Sequence, residues 1–193
     1  MFSLPDWAFY PIAALVTGGM VAGALAFGDS TKRTPEQIQA EGLVYEGDTL
    51  NAIGTGNGLE ATFLTEGQTA FVRIAASRGP LDGMQSAGAF FALAPNELEA
   101  LQGHRLRLTF RVRAAGDQPA EGVRFNVFLP GIGQDGWERH AVGEDYQNIT
   151  FDVSPPTCVW DHGYIGIWPD WDFERNTIDL QRAELIALEE IEC

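Results

Sequence analysis

The 193-residue chain has few basic residues and few cysteines, and it lacks common catalytic motifs. It has 12 Lys and Arg against 27 Asp and Glu, a formal net charge of −15. This charge excludes a general nucleic-acid binder, which must neutralise phosphates with basic side chains. Its two cysteines, Cys158 and Cys193, exclude a disulfide-dense scaffold and an all-cysteine zinc site.

Catalytic motifs are also missing from the sequence. His104, His140 and His162 are scattered, none begins an H-E-x-x-H motif, and neither a G-x-S-x-G nor a P-loop motif occurs. Acidic residues are so abundant that carboxylate pairs must arise by chance, so they do not indicate a glycoside hydrolase. We therefore predict a non-enzymatic protein with no catalytic residues, no metal and no cofactor.

The first prominent feature that is present is an uncharged stretch near the N-terminus. No charged residue occurs between Trp7 and Gly28. At about 1.5 Å per residue a helix of this length spans roughly 33 Å, enough to cross a bilayer core of about 30 Å. Trp7 and Tyr10 are placed like aromatic residues at a membrane interface. We predict that residues 1–28 form a single transmembrane helix.

A cleaved signal peptide is the alternative for this stretch. Ala24-Leu25-Ala26 offers a small-x-small cleavage site. The six residues from Met1 to Asp6, however, contain no Lys or Arg, so the basic region that begins a signal peptide is absent. We favour the retained anchor.

Small residues recur along the predicted helix at intervals of four. They are Ala14, Gly18, Gly19, Ala22, Gly23 and Ala26. Such rows allow a second membrane helix to approach closely, so they predict packing against other transmembrane subunits. The alternative is that Gly and Ala are simply frequent in membrane helices.

The charges that flank the helix bear on its orientation. Lys32 and Arg33 follow it and no basic residue precedes it, which by the positive-inside rule favours a cytoplasmic C-terminal domain. Long domains can nevertheless cross regardless of charge, and β-sandwiches of the kind predicted below are more often found outside. We expect a single-pass protein of a bacterial inner membrane with a periplasmic domain, and a cytoplasmic domain stays open.

A short linker at residues 29–42 leads to the remaining domain, residues 43–193. Thr34 followed by Pro35 has the pattern of an N-cap and first helical residue, and it predicts a short helix over Pro35–Glu41 that ends at Gly42.

The domain itself shows short alternating runs separated by Gly, Pro, Asn and Asp. This pattern predicts an all-β fold, a β-sandwich of two sheets. Pro95–Leu101 is predicted to form one helical turn. The predicted strands are Leu59–Leu64, Thr69–Ala76, Gly88–Leu93, Arg105–Arg113, Val123–Leu129, Gln147–Val153, Tyr164–Trp168 and Thr177–Ile186.

The clearest strand places four arginines on one face. Arg105, Arg107, Arg111 and Arg113 alternate with apolar residues. The arginines could bind an acidic partner, because guanidinium groups pair with carboxylates and phosphates. The interpretation we favour is pairing with acidic residues on neighbouring strands.

The segment Cys158–Arg175 is dense in aromatic and acidic residues. Its candidates for contact with a ligand or partner are Trp160, Asp161, Trp168, Asp170 and Trp171. Aromatic rings with a few polar groups are typical of small-ligand sites. The favoured alternative is that the large rings belong to the core. A structural calcium ion at Asp170 and Asp172 is a further alternative, without an EF-hand pattern to support it.

The two cysteines, Cys158 and Cys193, could form a disulfide if the domain lies outside the cytoplasm. Whether they are paired depends on their separation in the fold, which the sequence leaves open.

Three stretches of this domain resemble a known family. They are Gly88–Arg113 with "ALAPNELEALQG", Gly136–Pro156 with "GWERHAVGEDYQNITFDVSPP", and Asn176–Leu188 with "NTIDLQRAELIAL". Their order is similar to that in the jelly rolls of carbohydrate-binding modules, which share a galactose-binding-like sandwich. The resemblance implies a jelly-roll domain, and it makes carbohydrate a candidate ligand.

Two functions follow as hypotheses. The first is an accessory subunit of a larger bacterial inner-membrane complex, respiratory or photosynthetic, whose partners are other transmembrane subunits and membrane lipid. The alternative is a membrane-anchored carbohydrate-binding module. No nucleic-acid partner is expected in either case.

Overall fold

A computed structural model describes Tyr10, Ala13, Ala14, residues 16–20, and residues 33–80, 86–172 and 176–192. The chain divides into two compact units, Met1–Arg33 and Thr34–Cys193.

The first unit is helical at Tyr10, Ala13, Ala14 and residues 16–20. A Cβ atom placed on Gly18 or Gly19 would meet nothing within 4 Å among the described atoms.

No helix within the described residues is long and apolar enough to cross a membrane. Most of the predicted anchor, including Trp7, Ala22, Gly23 and Ala26, lies outside the described residues. The membrane helix and its packing residues therefore stay predictions.

The second unit contains two antiparallel sheets. The six-stranded sheet has the order β3-β4-β11-β6-β9, with β1 also paired to β11, and the five-stranded sheet has the order β2-β5-β10-β7-β8. The strands described are β1 Leu43–Glu46, β2 Gly54–Thr55, β3 Leu59–Glu66, β4 Thr69–Ala76, β5 Ala89–Ala92, β6 His104–Ala114, β7 Gly122–Phe128, β8 Glu138–Ala141, β9 Gln147–Val153, β10 Tyr164–Pro169 and β11 Thr177–Glu190.

The predicted all-β sandwich is confirmed, and each of the eight predicted strands is present. The strands that the sequence pattern missed are β1, β2 and β8, which have four, two and four residues. Runs this short contain too few residues for an apolar–polar alternation to stand out.

Strand β11 holds the six-stranded sheet together. One of its edges pairs with β6 along most of its length, while the other pairs first with β4 and then with β1. The register against β6 shifts between Leu180 and Arg182. Such an irregularity adds a residue to one strand and lets the strand bend, so Leu180 and Ala183 both reach the core.

Aromatic rings from the two sheets meet in the core. Phe110 of β6 stacks on Phe125 of β7 with ring centroids 4.0 Å apart, and Tyr45 of β1 stacks on Phe91 of β5 at 4.1 Å. Each pair joins a residue of one sheet to a residue of the other, as expected for inner faces that interdigitate.

Two short helices, α1 (Pro35–Glu41) and α2 (Pro95–Leu101), pack against each other and against β11. Turns of 3-10 helix occur at Gly47–Ala52 and Gln134–Gly136. In α1 the predicted N-cap is present: the Gln37 amide N–H donates to Thr34 Oγ1, and the Gln37 side chain accepts from the Thr34 N–H. Ile38 of this helix is buried, and Gln39 Nε2 donates to the Ala100 carbonyl at 3.2 Å. The sequence assigned α1 to the linker, whereas the structure places it in the sandwich unit.

Candidate ligand-binding face

The outer surface of the five-stranded sheet carries a group of aromatic side chains. Along β10, Ile165 and Ile167 point into the core, so Tyr164, Gly166 and Trp168 point outward. The strand register places Phe128 of β7 opposite Tyr164 and Phe90 of β5 opposite Gly166. Cross-strand neighbours share a face, so these aromatic residues lie on the same outer surface.

A fifth ring comes from the segment before β8. Trp137 packs edge-to-face against Phe128 and against Trp168, with centroid distances of 5.5 and 5.8 Å. Phe90 and Tyr164 form a third edge-to-face pair at 5.5 Å. We call Phe90, Phe128, Trp137 and Tyr164 the aromatic face; all four are half-buried. Each ring is therefore held by neighbours while part of it stays open to solvent.

Two glycines beneath Trp137 allow its ring to lie close to the sheet. A Cβ atom on Gly166 would lie 3.0 Å from Trp137 Cη2, 2.8 Å from Phe128 Cε2 and 2.5 Å from the Ala87 carbonyl oxygen. Gly88 has a φ of +80°, and a Cβ there would lie 2.6 Å from the Ile167 carbonyl oxygen. A larger residue at either position would displace the ring or the backbone.

Trp168 lies beneath this surface and has no exposed area. Its indole Nε1 donates to the Arg78 carbonyl oxygen at 2.7 Å, and the Arg78 guanidinium lies 5.9 Å from the ring centroid. Trp168 is therefore a buried support, which corrects its prediction as a ligand contact. A buried indole needs a partner for its N–H, and the Arg78 carbonyl supplies it.

Trp160 is likewise a core residue, 5% exposed, and its Nε1 donates to the Thr157 carbonyl at 2.7 Å. Its prediction as a ligand contact is corrected for the same reason. Asp161 is exposed and lies 2.5 Å from His162 Nδ1, while Trp171 is half-buried. The aromatic–acidic segment thus does not converge on one site.

A charged cluster adjoins the aromatic face at one end. Asp170 accepts hydrogen bonds from Arg124 Nε at 3.1 Å and from Arg139 Nε. Arg124 is the cross-strand neighbour of both Trp168 and Arg139. These residues therefore share the outer surface with the aromatic rings. Asp170, predicted as a ligand or partner contact, is engaged by two arginines.

The four arginines of β6 lie on the outer face of the other sheet. Arg105 and Arg107 share Asp152, at 2.7 and 2.8 Å, and Arg105 also contacts Glu189 at 2.9 Å. Hydrogen bonds from Arg107 are the main reason that the pKa of Asp152 is lowered below its ordinary value.

The other two arginines of β6, Arg111 and Arg113, contact polar and acidic side chains of other strands. Arg113 pairs with Asp179 and Glu66 at 3.0 and 3.2 Å, and Arg111 donates to Gln181 at 2.5 Å. The structure thus contains the cross-strand pairing that we favoured for three of the four arginines. Contact of this row with an acidic partner stays a prediction.

Cys158 takes part in a disulfide. The Ile191 carbonyl oxygen lies 3.9 Å from its sulfur, so the end of the chain runs beside it. Cys193, the other cysteine of the sequence, lies outside the described residues.

Among the described side chains, no group of three or more His, Cys, Asp or Glu is arranged to hold a metal ion. Asp170, one of the two residues considered for calcium, is paired with arginines instead.

Sequence reasoning missed Phe90, Phe128, Trp137 and Tyr164 as site residues. The sequence contained part of this information, because Phe90 and Phe128 occupy outward-facing positions of two predicted strands. Trp137 lies outside the predicted strands, so only the tertiary structure shows that its ring packs on the outer surface of the sheet.

Comparison with solved structures identifies the architecture. The xylan-binding domain CBM22-1 of Xyn10C from Paenibacillus barcinonensis superposes with a TM-score of 0.53 at 8% identity, covering 77% of this chain and 95% of that domain. This chain has the fold of a carbohydrate-binding module. The tandem CBM22-1–CBM22-2 structure of the same protein gives 0.50 at 8% identity, covering 80% of this chain and 44% of the tandem. The predicted jelly-roll resemblance is thus confirmed at the level of the fold.

No protein-family model matches the sequence, and no curated protein matches it.

Proposed function

We propose that the sandwich unit is a non-enzymatic carbohydrate-binding module that holds a saccharide on the aromatic face. The observation that carries the proposal is the set of half-buried rings on one outer sheet surface of a carbohydrate-binding-module fold. The similar xylan-binding domain adds support through its fold alone.

The chemistry of the aromatic face suits a sugar ring. Saccharides present apolar C–H faces between their hydroxyl groups, and aromatic side chains offer flat apolar surfaces for these faces. Tyr164 also carries an O–H that can bond a hydroxyl group. A saccharide thus meets both apolar area and a polar group on one surface.

The rings are also held in place before a ligand arrives. Trp137 packs on Trp168 and Phe128, and the Phe90 ring lies against Gly54 of β2, where a Cβ would be 2.9 Å from Phe90 Cζ. Rings ordered in advance lose little conformational entropy on binding, which favours affinity.

Isothermal titration of the purified full chain with a panel of xylo-, cello- and laminari-oligosaccharides tests the proposal. We expect at least one saccharide to bind, and Trp137→Ala to weaken it roughly 30-fold, the effect of losing a contact worth about 2 kcal/mol. Phe63→Ala is the matched control, because Phe63 is an exposed aromatic residue on β3 of the other sheet.

Failure of every saccharide to bind the wild-type chain would contradict the proposal. So would equal affinities of the wild type and the Trp137→Ala variant. Loss of binding in the Phe63→Ala variant would instead locate the ligand on the other sheet.

We further propose that this module is tethered to the membrane by residues 1–28 and faces the periplasm. The uncharged stretch from Trp7 to Gly28 supports the tether, and the disulfide at Cys158 supports the location, because disulfides persist in oxidising compartments. Thiol labelling of intact and lysed cells, with and without reductant, tests the location. If Cys158 were labelled without reductant, and only after lysis, it would be a free thiol inside the cell. That result would contradict the periplasmic location.

The accessory-subunit hypothesis has less support, and it rests on the small residues of the predicted helix. A mild-detergent pull-down from native membranes tests it. A membrane complex that is recovered with the wild type and lost when Gly19 and Gly23 are changed to Leu would support it. Recovery of the chain alone would exclude it.

A further inference from the structure

The arginine pair beside the aromatic face differs from the other clusters of described arginines that share carboxylates. Within the part of the chain that the structure describes, Arg124 and Arg139 have a single carboxylate between them, that of Asp170. Arg105 and Arg107 share Asp152 and also have Glu189, and Arg73 and Arg113 have Asp179 and Glu66. Those two clusters are electrically balanced, whereas the cluster at Asp170 keeps one positive charge.

This surplus occurs in a chain with a net charge of −15. A cationic cluster therefore does not follow from the overall composition. It also lies beside the one surface that we propose for ligand binding. Both facts suggest that the charge serves recognition.

Both guanidinium groups keep donors available for a ligand. Each uses its Nε for Asp170, and within the described part of the chain their Nη groups have no acceptor. The Arg124 and Arg139 side chains are 35% and 46% exposed, so both are accessible to a ligand from solvent.

The strand register places these donors close to the rings. Trp168 of β10 is opposite Arg124 of β7, which is opposite Arg139 of β8, and Trp168 supports Trp137. Adjacent strands are about 5 Å apart, and an arginine side chain is long enough to cover that distance. A saccharide lying on Trp137 therefore brings its substituents within reach of the Nη groups.

We propose that the aromatic face selects saccharides that carry anionic groups, carboxylates or sulfates, and that Arg124 and Arg139 bind those groups. The proposal rests on the proposed function, because it assumes that a saccharide lies on the aromatic face. Planar guanidinium groups bind carboxylate and sulfate oxygens with paired hydrogen bonds, and such charge-assisted bonds are stronger than neutral ones. Arg124 and Arg139 thus set specificity, while the rings supply contact area.

Titration of the full chain with matched pairs of probes tests this specificity. The carboxylate pairs are glucuronate-substituted and unsubstituted xylo-oligosaccharides of equal length, and hexagalacturonate and its methyl ester. The sulfate pair is a sulfated galactan oligosaccharide and its desulfated form. We expect the anionic member of at least one pair to bind about tenfold more tightly than its neutral partner, and the pair that shows this identifies the group.

The variant R124Q/R139Q is expected to lose this preference and to keep the affinity for the neutral probe. The matched control is R105Q/R107Q, which disrupts the balanced cluster at Asp152 on the other sheet and should leave the preference unchanged. If the double variant does not fold, the single variant R139Q on edge strand β8 should reduce the preference by roughly half on a logarithmic scale.

Ionic strength gives a test without any variant. Raising the salt concentration from about 50 to 500 mM shortens the screening length severalfold. It should therefore weaken binding of the anionic probe and leave the affinity for the neutral probe unchanged.

Equal or tighter binding of every neutral member, or a preference that survives R124Q/R139Q, would overturn the charge selectivity and leave the proposed function standing. Absence of binding by every probe, neutral or anionic, would overturn the proposed function and this specificity together.

Discussion

The buried carboxylate of Asp179 accepts two hydrogen bonds from the Arg73 guanidinium, at 2.8 and 3.1 Å. Arg113 adds a third, from its Nε at 3.1 Å. Asp179 lies on β11, and its cross-strand neighbours are Arg73 on β4 and Arg113 on β6. One fully buried charge is thus stabilised by arginines from both neighbouring strands, and it fixes the register of three strands at once.

Replacing Asp179 by Asn should destabilise the fold. The substitution keeps the side-chain shape but removes the charge that both guanidinium groups neutralise. We expect a loss of about 2–3 kcal/mol in the free energy of unfolding, since hydrogen bonds between charged groups in buried sites are costly to break. Urea unfolding measures it. Asp152→Asn, on the more exposed cluster of the same sheet, should lose less; an equal loss would contradict the role of burial.

Gly166→Ala should damage the aromatic face. The new Cβ would lie 2.5 Å from the Ala87 carbonyl oxygen and 3.0 Å from Trp137, so the backbone or the ring must move. Overpacking of this kind costs about 1–3 kcal/mol, and the displaced ring should also weaken saccharide binding. Gly143→Ala is the control, because a Cβ there meets no described atom within 4 Å. Similar unfolding midpoints for the two variants would refute the close approach of Trp137.

Glu97→Gln should change how stability depends on pH. Burial raises the pKa of Glu97, although the Ala94 N–H and the Tyr45 hydroxyl donate to its carboxylate. A raised pKa in the folded state means that stability is greatest below the pKa of the unfolded state and falls as the pH rises through the folded value. Gln accepts the Ala94 N–H without ionising, so the variant should gain stability relative to wild type as the pH rises above the ordinary Glu pKa of about 4.3.

Unfolding of both proteins in urea at a series of pH values measures that difference. Glu99→Gln, at an exposed position of the same helix, serves as the control and should show no comparable gain. A gap between wild type and Glu97→Gln that stays constant with pH would show that Glu97 does not titrate differently in the folded state.

Cys158→Ser should lower stability by removing the disulfide. A disulfide of a small domain typically contributes about 2–4 kcal/mol, largely by restricting the unfolded chain. Urea unfolding with and without reductant measures the effect: the wild type should lose stability on reduction, and the variant should be insensitive. A wild type that unfolds identically in both conditions would show that the bond contributes nothing.

The sequence was informative where structure depends on neighbouring residues. The alternation of Leu106, Leu108 and Phe110 with arginines predicted β6, and the Thr34–Pro35 pair predicted the start of α1, because side-chain alternation and helix capping are local properties. The all-β class followed from many such runs. The short strands β1, β2 and β8 were not predicted, since runs of four, two and four residues are too short for an alternation to stand out.

The candidate site shows the opposite case. Tyr164 and Trp168 occupy equivalent outward positions on β10, and nothing in their alternation distinguishes them. Trp168 is buried because Trp137 and Arg78, distant in sequence, lie against it, while Tyr164 stays half-buried.

The sequence by itself thus determined the longer strands and which of their residues face outward. Tertiary structure decided which outward rings are covered, and which arginines keep a surplus of charge. The physical reason is that burial and ion pairing depend on which distant segments meet, and such meetings leave no periodic pattern in the chain.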